Sequence, residues 1–218
     1  MEYRLLLEVA CLLVKRETNL VKLIKSGLDV HEATSQNVKQ FSGIDIPRKT
    51  AKIANFLTLY GGGIGKLSAA LGTNTQAATK VRTAIFGAAP EIKTYIEEIS
   101  RIAQERQYII NWLGRRVQLP NARLSYKAAN YHISGGCADV VKVAMNRIDE
   151  YLLDKKSRMI LTIHDELPIE VHESEIAEVP RVVKEIMESV YKAKYLDLTT
   201  GMEYSSKSLG DKIKGFPG

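Results

Sequence analysis

The sequence predicts an α+β fold, in which a mainly helical first half precedes a second half that combines helices with antiparallel strands. Two observations indicate this class. Apolar residues recur with helical spacing through much of residues 1–107. Segment 159–171 is rich in Ile, Leu and Val with polar residues only in its middle, which is typical of a strand, a tight turn and a second strand. A chain of 218 residues suffices for one good-sized core, or for one large and one small lobe.

The first half contains four predicted helical regions. Apolar residues between 5 and 13 lie on one face of a first helix, which residues 21–24 continue after a break. A loop at 42–47 leads into a helix from Pro47, in its first turn, to Tyr60, and the glycines at 61–63 end it. Two further helices are expected at 75–85 and 89–107.

The second half begins with an extended hairpin at 108–120, with its turn at Leu113-Gly114-Arg115-Arg116. The next element is a helix whose apolar face is formed by Val141, Met145, Ile148 and Leu152. In segment 159–171, we expect the turn at His164-Asp165-Glu166. A last amphipathic helix covers 179–190, and the final dozen residues are expected to be frayed.

Composition restricts the function classes. Apolar residues make up 45% and charged residues 26%, which excludes a disordered or collagen-like chain. The 31 basic residues outnumber the 25 acidic ones, which favours a polyanionic partner such as nucleic acid. Cys11 and Cys137 form no CxxC pair, which argues against a thiolate zinc site and favours a reducing compartment. No apolar run is long enough to cross a bilayer, so we expect a soluble, cytoplasmic protein without a membrane partner.

Two familiar motifs are excluded by their spacing. The glycine-rich segment 61–66 is similar to a phosphate-binding loop. Tyr60 and Leu67 stand where that loop requires a glycine and a serine or threonine. His164 and His172 do not have the HExxH spacing of a zinc protease.

Two other patterns indicate chemistry. Arg48, Lys52, Phe56 and Tyr60 follow one another at i+4 spacing and therefore form one ridge on a helix. Two cations and two rings suit the phosphates and the base of a nucleotide, although core aromatics beside a solvated edge remain the alternative. Adjacent carboxylates at the predicted turn at 165–166 suit Mg²⁺, with an ordinary acidic hairpin tip as the alternative.

Taken together and in this order, the two patterns resemble those of the family A DNA polymerases of the bacterial DNA polymerase I type. Arg48-x3-Lys52-x3-Phe56-x3-Tyr60-Gly61 resembles the helix of the fingers called motif B, and Ile163-His164-Asp165-Glu166 resembles the hairpin of the palm called motif C. Further blocks of similarity are Gly27-x-Asp29-Val30-His31-x-Ala33-Thr34, Leu113-Gly114-Arg115-Arg116-x3-Pro120 and Ala129-Asn130-x2-Ile133-x-Gly135-x2-Ala138-Asp139.

The resemblance implies template-directed DNA synthesis from deoxynucleoside triphosphates. Asp165 would hold two Mg²⁺ ions together with an aspartate of motif A, with Glu166 in a lesser metal-binding role. Lys52 would bind the triphosphate and protonate the leaving pyrophosphate. His164 would lie near the primer terminus, where it contacts DNA. The implied catalytic residues are therefore Asp165, Lys52, Glu166 and His164.

The same resemblance implies residues that bind nucleotide and DNA. Arg48 and His31 would hold the triphosphate with Lys52, although a structural histidine is the alternative for His31. Phe56 would discriminate against dideoxynucleotides, and Glu2 would exclude a 2′-hydroxyl. The implied contacts to primer–template DNA are Tyr60, His164, Asn130, Arg115 and Arg116; for the two arginines, a solvated hairpin explains the sequence equally well.

The resemblance also suggests a domain organisation and a partner. Residues 1–25 correspond to the start of the palm, 26–112 to the fingers and 113–218 to the rest of the palm with the motif C hairpin. Met1-Glu2-Tyr3-Arg4 resembles the end of motif A, whose aspartate would precede Met1.

We therefore expect the C-terminal fragment of a split polymerase from a phage or a bacterium, with an incomplete palm sheet. An upstream polymerase fragment would supply the thumb, the first palm strands and the missing aspartate. An exposed sheet edge would await that partner. The alternatives are a non-catalytic module that binds DNA or nucleotide, and a sequence that is part of a longer chain.

Overall fold

The computed structural model describes residues 2–216, without the side chains of Glu2, Tyr3 and Leu5. Within this range the chain is mainly helical with short antiparallel strand pairs, which confirms the predicted fold class. Its α-helices are α1 (Glu2–Val14), α2 (Asn19–Lys25), α3 (Val30–Ser42), α4 (Arg48–Leu59), α5 (Ile64–Leu71), α6 (Thr75–Ala88), α7 (Pro90–Arg106), α8 (Ala128–Leu152) and α9 (Val179–Ser189). None of the helices in this range combines the length and apolar character that a bilayer crossing requires.

The strands form three separate antiparallel pairs. β1 (Tyr108–Ile110) pairs with β2 (Arg116–Gln118), β3 (Arg158–Met159) with β4 (Ile169–Glu170), and β5 (Glu203–Tyr204) with β6 (Ile213–Lys214). The first two pairs agree with the predicted hairpin at 108–120 and with the predicted strands of segment 159–171. Strand β6 of the third pair lies within the last dozen residues, where a frayed end was predicted, so that prediction is wrong for this strand.

The largest core joins elements that are far apart in the sequence. It is built by buried side chains of α1, α7, β1 and α8, among them Leu6, Leu7, Ile92, Ile109 and Ile133. Leu196 and Leu198, which follow α9, are buried in the same cluster. Helix α1 is therefore enclosed by parts of the chain that come long after it.

A buried carboxylate strengthens this connection. Glu8 of α1 is fully buried, and its two oxygens accept hydrogen bonds from the backbone N–H groups of Lys194, Tyr195 and Leu196 at 2.6, 2.8 and 2.9 Å. Several charge-assisted hydrogen bonds are what a buried carboxylate needs to offset its loss of hydration. Glu8 therefore fixes the segment after α9 against α1.

A second core lies between α3, α4, α5 and α6. Its fully buried members include Val38, Ala51, Ala54, Leu67 and Val81. The two alanines of α4 let the neighbouring helices approach one side of that helix closely. The opposite side of α4 remains at the surface, which matters for the site described below.

The third core contains Ile148 and Leu152 of the predicted apolar face of α8; Val141 of that face is buried as well, whereas Met145 is only partly buried. Ala144, Ile148 and Leu152 of α8 pack against Val179 and Val183 of α9, with the strands β3 and β4 beside them. The acidic turn between those strands is thus supported by two helices.

Helices α3 and α5 and the first half of α8 were not predicted. In α8, Gly135 and Gly136 weaken the helical signal because glycine is a poor helix former. The ring of Trp112 packs over Gly136 so closely that a Cβ atom there would overlap it. Tertiary packing therefore requires glycine at a position where helix propensity opposes it.

A buried histidine joins α7, the β1–β2 hairpin and α8. His132 is only 8% exposed, its Nδ1 lies 2.9 Å from the hydroxyl of Tyr95, and its ring meets Trp112 edge to face at 5.1 Å. Burial lowers the pKa of His132 to about 4, although a hydrogen bond with the backbone of Ile110 opposes the shift. The neutral imidazole accepts a hydrogen bond from the Tyr95 hydroxyl through Nδ1.

Candidate active site

The surface side of α4 displays the predicted ridge. Pro47 is the N-cap residue of α4, one position before the first turn in which it was expected. The buried residues of the helix are Ala51, Ala54, Asn55, Thr58 and Leu59, which leaves Arg48 and Lys52 exposed and Phe56 and Tyr60 half-buried. The two rings lie 5.7 Å apart between centroids. Both rings therefore keep accessible surface and are not enclosed in the core between α3, α4, α5 and α6.

A shallow depression runs along this side of α4. It combines two cations with an apolar floor, and its lining residues are Lys52, Ile53, Phe56, Leu57, Tyr60, Gly62 and Lys66. Aromatic rings beside cations can bind a stacked base and its phosphates at once. The depression thus suits a nucleotide or a nucleic-acid strand.

Arg48 is held at the start of α4 by Asp29. Its Nε and Nη2 donate to the two carboxylate oxygens of Asp29 at 3.0 and 2.6 Å. This guanidinium lowers the pKa of Asp29 to about 2. Asp29 is also the N-cap residue of α3, where it accepts the backbone N–H groups of His31 and Glu32. The Asp29 carboxylate therefore joins the beginning of α3 to the beginning of α4. Its partner Arg48 lies on the solvent-exposed side of this contact.

The tautomer of His31 follows from its neighbours. Thr34 donates its hydroxyl proton to the carbonyl of Val30, so Thr34 Oγ1 must accept from Asn55 Nδ2 at 3.0 Å. The same Nδ2 lies 3.0 Å from Nδ1 of His31. Because an amide nitrogen only donates, Nδ1 accepts, and the proton of the neutral ring is on Nε2.

The neutral form of His31 is favoured by its surroundings. Burial lowers its pKa, the charges of Arg48 and Lys52 lower it further, and Asp29 opposes the shift. The His31 ring lies 6.1 Å from that of Phe56. The structure thus brings His31, Arg48 and Phe56 together, with Lys52 and Tyr60 on the same side of α4.

The acidic turn is present where the sequence predicts it. Ile163 and Glu166 exchange both backbone hydrogen bonds, at 3.0 and 2.9 Å, and His164 at the corner has a positive φ of 55°. His164, Asp165 and Glu166 are all exposed, and Glu166 pairs with Lys212 at 2.8 Å. The turn therefore presents two neighbouring carboxylates to solvent.

This pair of carboxylates has the right chemistry for Mg²⁺. Carboxylate oxygens are the ligands that this hard cation prefers, and it is often bound by only one or two of them. Within residues 2–216, no group of three or more His, Cys, Asp or Glu side chains lies close enough together to hold a metal ion. The turn supplies only a partial donor set.

The predicted DNA contacts lie on the β1–β2 hairpin and on α8. Nε of Arg115 donates to Asp139 of α8 at 2.6 Å and its Nη2 donates to the Gly135 carbonyl at 3.1 Å. The Arg116 guanidinium lies 3.8 Å above the Tyr108 ring, and Asn130 is half-buried on α8. Asp139 compensates the charge of Arg115, whereas Arg116 is exposed and lies over the Tyr108 ring. The side chain of Glu2 lies outside the described residues.

Comparison with known proteins decides the family. The sequence model of DNA polymerase family A matches residues 7–208. The chain belongs to DNA polymerase family A. The family A relatives include DNA polymerase I of Streptococcus pneumoniae, 32% identical over 193 residues, and the thermostable DNA polymerase I of Thermus aquaticus, 29% identical over 187 residues. Each match covers 80% of this chain but only 22% of the relative, so the chain spans about a fifth of their length.

A family A polymerase is also similar in structure. The polymerase domain of Pol1 from M. smegmatis, in complex with a DNA primer–template and dNTP, superposes with a TM-score of 0.79 at 26% sequence identity. The superposition covers 91% of this chain and 36% of that domain.

Sequence reasoning missed three residues that contact the predicted site residues. Asp29 was quoted only as part of a similar block, although Asp29-x-x-Glu32 has the spacing of a helix N-terminus. Asn55 is a polar residue in the buried face of α4, which indicates a required hydrogen bond. Lys212 gave no signal, because its contact with Glu166 spans 46 residues.

Proposed function

We propose that residues 1–218 carry out template-directed DNA synthesis as the fingers and second palm part of a family A DNA polymerase. The observation that supports this most strongly is the presence, in one family A chain, of both the exposed ridge of α4 and the acidic turn at 163–166. The proposed subdomains are palm for 1–25 and 113–218, and fingers for 26–112. The core of α3 to α6 lies entirely within the proposed fingers.

The nucleotide is proposed to bind along α4. Lys52 neutralises the phosphates, whereas Arg48, whose charge Asp29 compensates, and Nε2–H of His31 donate hydrogen bonds to them. Phe56 and Tyr60 provide stacking surface for the base pair being formed. Because Asp29 already holds Arg48, the guanidinium is oriented before the nucleotide arrives, which lowers the entropic cost of binding.

The acidic turn is proposed to hold the metal. Asp165 is the principal ligand and Glu166 the secondary one. Bound Mg²⁺ would supply electrostatic stabilisation of the attacking primer 3′-oxygen and of the phosphates in an in-line displacement. Lys52 is the proposed donor of a proton to the pyrophosphate.

The DNA is proposed to lie across the palm. His164 stands at the corner of the turn, close to where a primer end must approach Asp165. Asn130, Arg115 and Arg116 are the proposed contacts to primer–template DNA, with Arg116 the stronger phosphate contact because Asp139 compensates Arg115. Glu2 is the proposed residue that excludes a 2′-hydroxyl.

Synthesis is proposed to require polypeptide beyond residues 1–218. The described acidic turn supplies two adjacent carboxylates, and Glu166 forms an ion pair with Lys212. The proposed partner is an upstream polymerase fragment that contributes the thumb, the first palm strands and the motif A aspartate. The exposed apolar residues Ile160, Leu161 and Ile163, which lead into the turn, are the surface on which its strands would pack.

Primer extension tests this proposal. The chain is assayed alone, and together with the polypeptide encoded directly upstream of residue 1, using Mg²⁺, four deoxynucleotides and a primed template. We expect extension only in the mixture. Asp165→Asn should abolish it, because the amide cannot replace a metal-binding carboxylate. Asp149→Asn, at an exposed position of α8, is the matched control and should leave extension unchanged.

Two results would contradict parts of the proposal. Undiminished extension by Asp165→Asn would refute the metal assignment. Binding of primer–template DNA by the mixture without any extension would instead favour the non-catalytic module. In addition, Phe56→Tyr should increase dideoxynucleotide incorporation, and an unchanged incorporation ratio would remove Phe56 from the nucleotide site.

A further inference from the structure

The C-terminal ribbon of β5 and β6 extends beyond the segment that matches the family model. The family match ends at residue 208, whereas β6 follows at Ile213–Lys214 and pairs with β5. A turn closed by Ser208 and Asp211 precedes it: Oγ of Ser208 donates to Oδ2 of Asp211 at 2.7 Å, and the backbone N–H of Asp211 donates to the carbonyl of Ser208 at 3.1 Å. Lys212, between this turn and β6, is therefore held in a defined position.

Lys212 reaches the acidic turn. Its Nζ donates to Oε2 of Glu166 at 2.8 Å and lies 3.8 Å from Oε2 of Glu203 on β5. The lysine side chain is 31% exposed and that of Glu166 is 55% exposed. Glu166 raises the pKa of Lys212, so the ammonium is charged at neutral pH.

We propose that Lys212 is a positioning residue of the palm site, whose ion pair with Glu166 limits the part that Glu166 takes in metal binding at the turn. This inference rests on the proposed function of the turn. Two adjacent carboxylates attract a divalent cation more strongly than one, and an unrestrained Glu166 would compete with Asp165 for it. Lys212 restrains Glu166 and adds a positive charge beside the metal position.

Removal of the lysine charge should therefore strengthen metal binding at the turn. Because this ion pair is exposed and water screens its charges, the effect should be modest. We accordingly expect Lys212→Gln to lower the dissociation constant for Mn²⁺ by about two- to fivefold. Lys212→Arg should behave as the wild type, because the guanidinium keeps the pair.

The measurement is a titration of the full chain with Mn²⁺, followed by paramagnetic broadening of the backbone amide signals of residues 163–167. This readout detects weak metal binding and does not depend on catalysis. Lys214→Gln is the matched control, since it removes the same charge two residues away on the same ribbon. Unshifted amide signals of Tyr204 and Ile213 report that the ribbon remains paired in each variant.

The Glu166→Gln background isolates the ion pair. In this background, Lys212→Gln should change the Mn²⁺ dissociation constant much less, because Glu166, the carboxylate that Lys212 binds, has been removed. Equal Mn²⁺ affinity in the wild type and Lys212→Gln, or an equal shift in both backgrounds, would overturn the inference. If Asp165→Asn also leaves Mn²⁺ binding unchanged, the metal site itself fails. Loss of binding in Asp165→Asn without an effect of Lys212→Gln would refute only the role of Lys212.

Discussion

Acidification from pH 8 to pH 5 should reduce the free energy of unfolding mainly through the buried side chain of His132, with a further contribution from His31, whose pKa burial also lowers. The pKa of His132 is about 4 in the folded chain, against about 6.5 in an unfolded one. Between these values the unfolded chain binds a proton that the folded chain rejects. Stability is therefore fully present above pH 6.5 and falls as the pH decreases from 6.5 towards 4.

The expected loss follows from this shift. The full difference corresponds to about 3 kcal/mol, and linkage gives about 2 kcal/mol of it at pH 5. Asp29 and Glu175 have pKa values of about 2 and remain ionised at pH 5, so they add little in this window. The shift has a simple cause, because His132 is surrounded by Tyr95 and Trp112 and has little access to water.

Urea unfolding at pH 8 and pH 5 measures the effect. Trp112 is the one tryptophan of the sequence and touches the His132 ring, so its fluorescence reports on this region directly. The control is His132→Gln, which can still accept a hydrogen bond from Tyr95 but does not titrate. The variant should lose about 2 kcal/mol less than the wild type over this pH range. The same pH dependence in both proteins would refute the assignment.

Three substitutions test the packing and the ion pairs by urea or thermal unfolding. Gly136→Ala should cost about 3 kcal/mol or more, because the added methyl meets the indole packed over it, whereas Gly63→Ala, with open space at its Cβ, should change little; equal effects would contradict the packing. Glu8→Gln should cost about 2–4 kcal/mol, because an amide nitrogen would face buried N–H donors, and an unchanged urea midpoint would speak against this network. Asp29→Asn keeps a helix cap but loses the exposed pair with Arg48, so it should cost less than about 1 kcal/mol at neutral pH and still less in high salt; a larger, salt-independent loss would exclude this explanation.

Local patterns allowed the sequence to predict much of the fold. The spacing from Arg48 to Tyr60 predicts a helix with one functional side, and α4 has this side at the surface. The apolar strands around a polar centre predict the turn at 163–166. Both features depend on neighbours within a few residues, which is the range over which periodicity and turn chemistry act.

Contacts between distant segments could not be predicted in this way. Asp29 and Arg48 meet across 19 residues, and Lys212 and Glu166 across 46. Local patterns indicate Asp29, Arg48 and Glu166 one by one, but no local pattern indicates which partner each of them meets. The first half of α8 was missed for a related reason: Gly136 is required by the ring of Trp112, and helix propensity alone argues against it.

The contact between Glu8 and residues 194–196 also constrains the order of folding. A ribosome releases Glu8 long before the amide groups that bind it, since 186 residues separate Glu8 from Lys194. Until those amides emerge, burial of the Glu8 carboxylate would leave a charge without partners, so α1 cannot settle into its final environment. The α3–α6 core contains only residues that emerge earlier and can form during synthesis. The largest core is therefore completed last, by a contact of very high sequence separation that forms slowly.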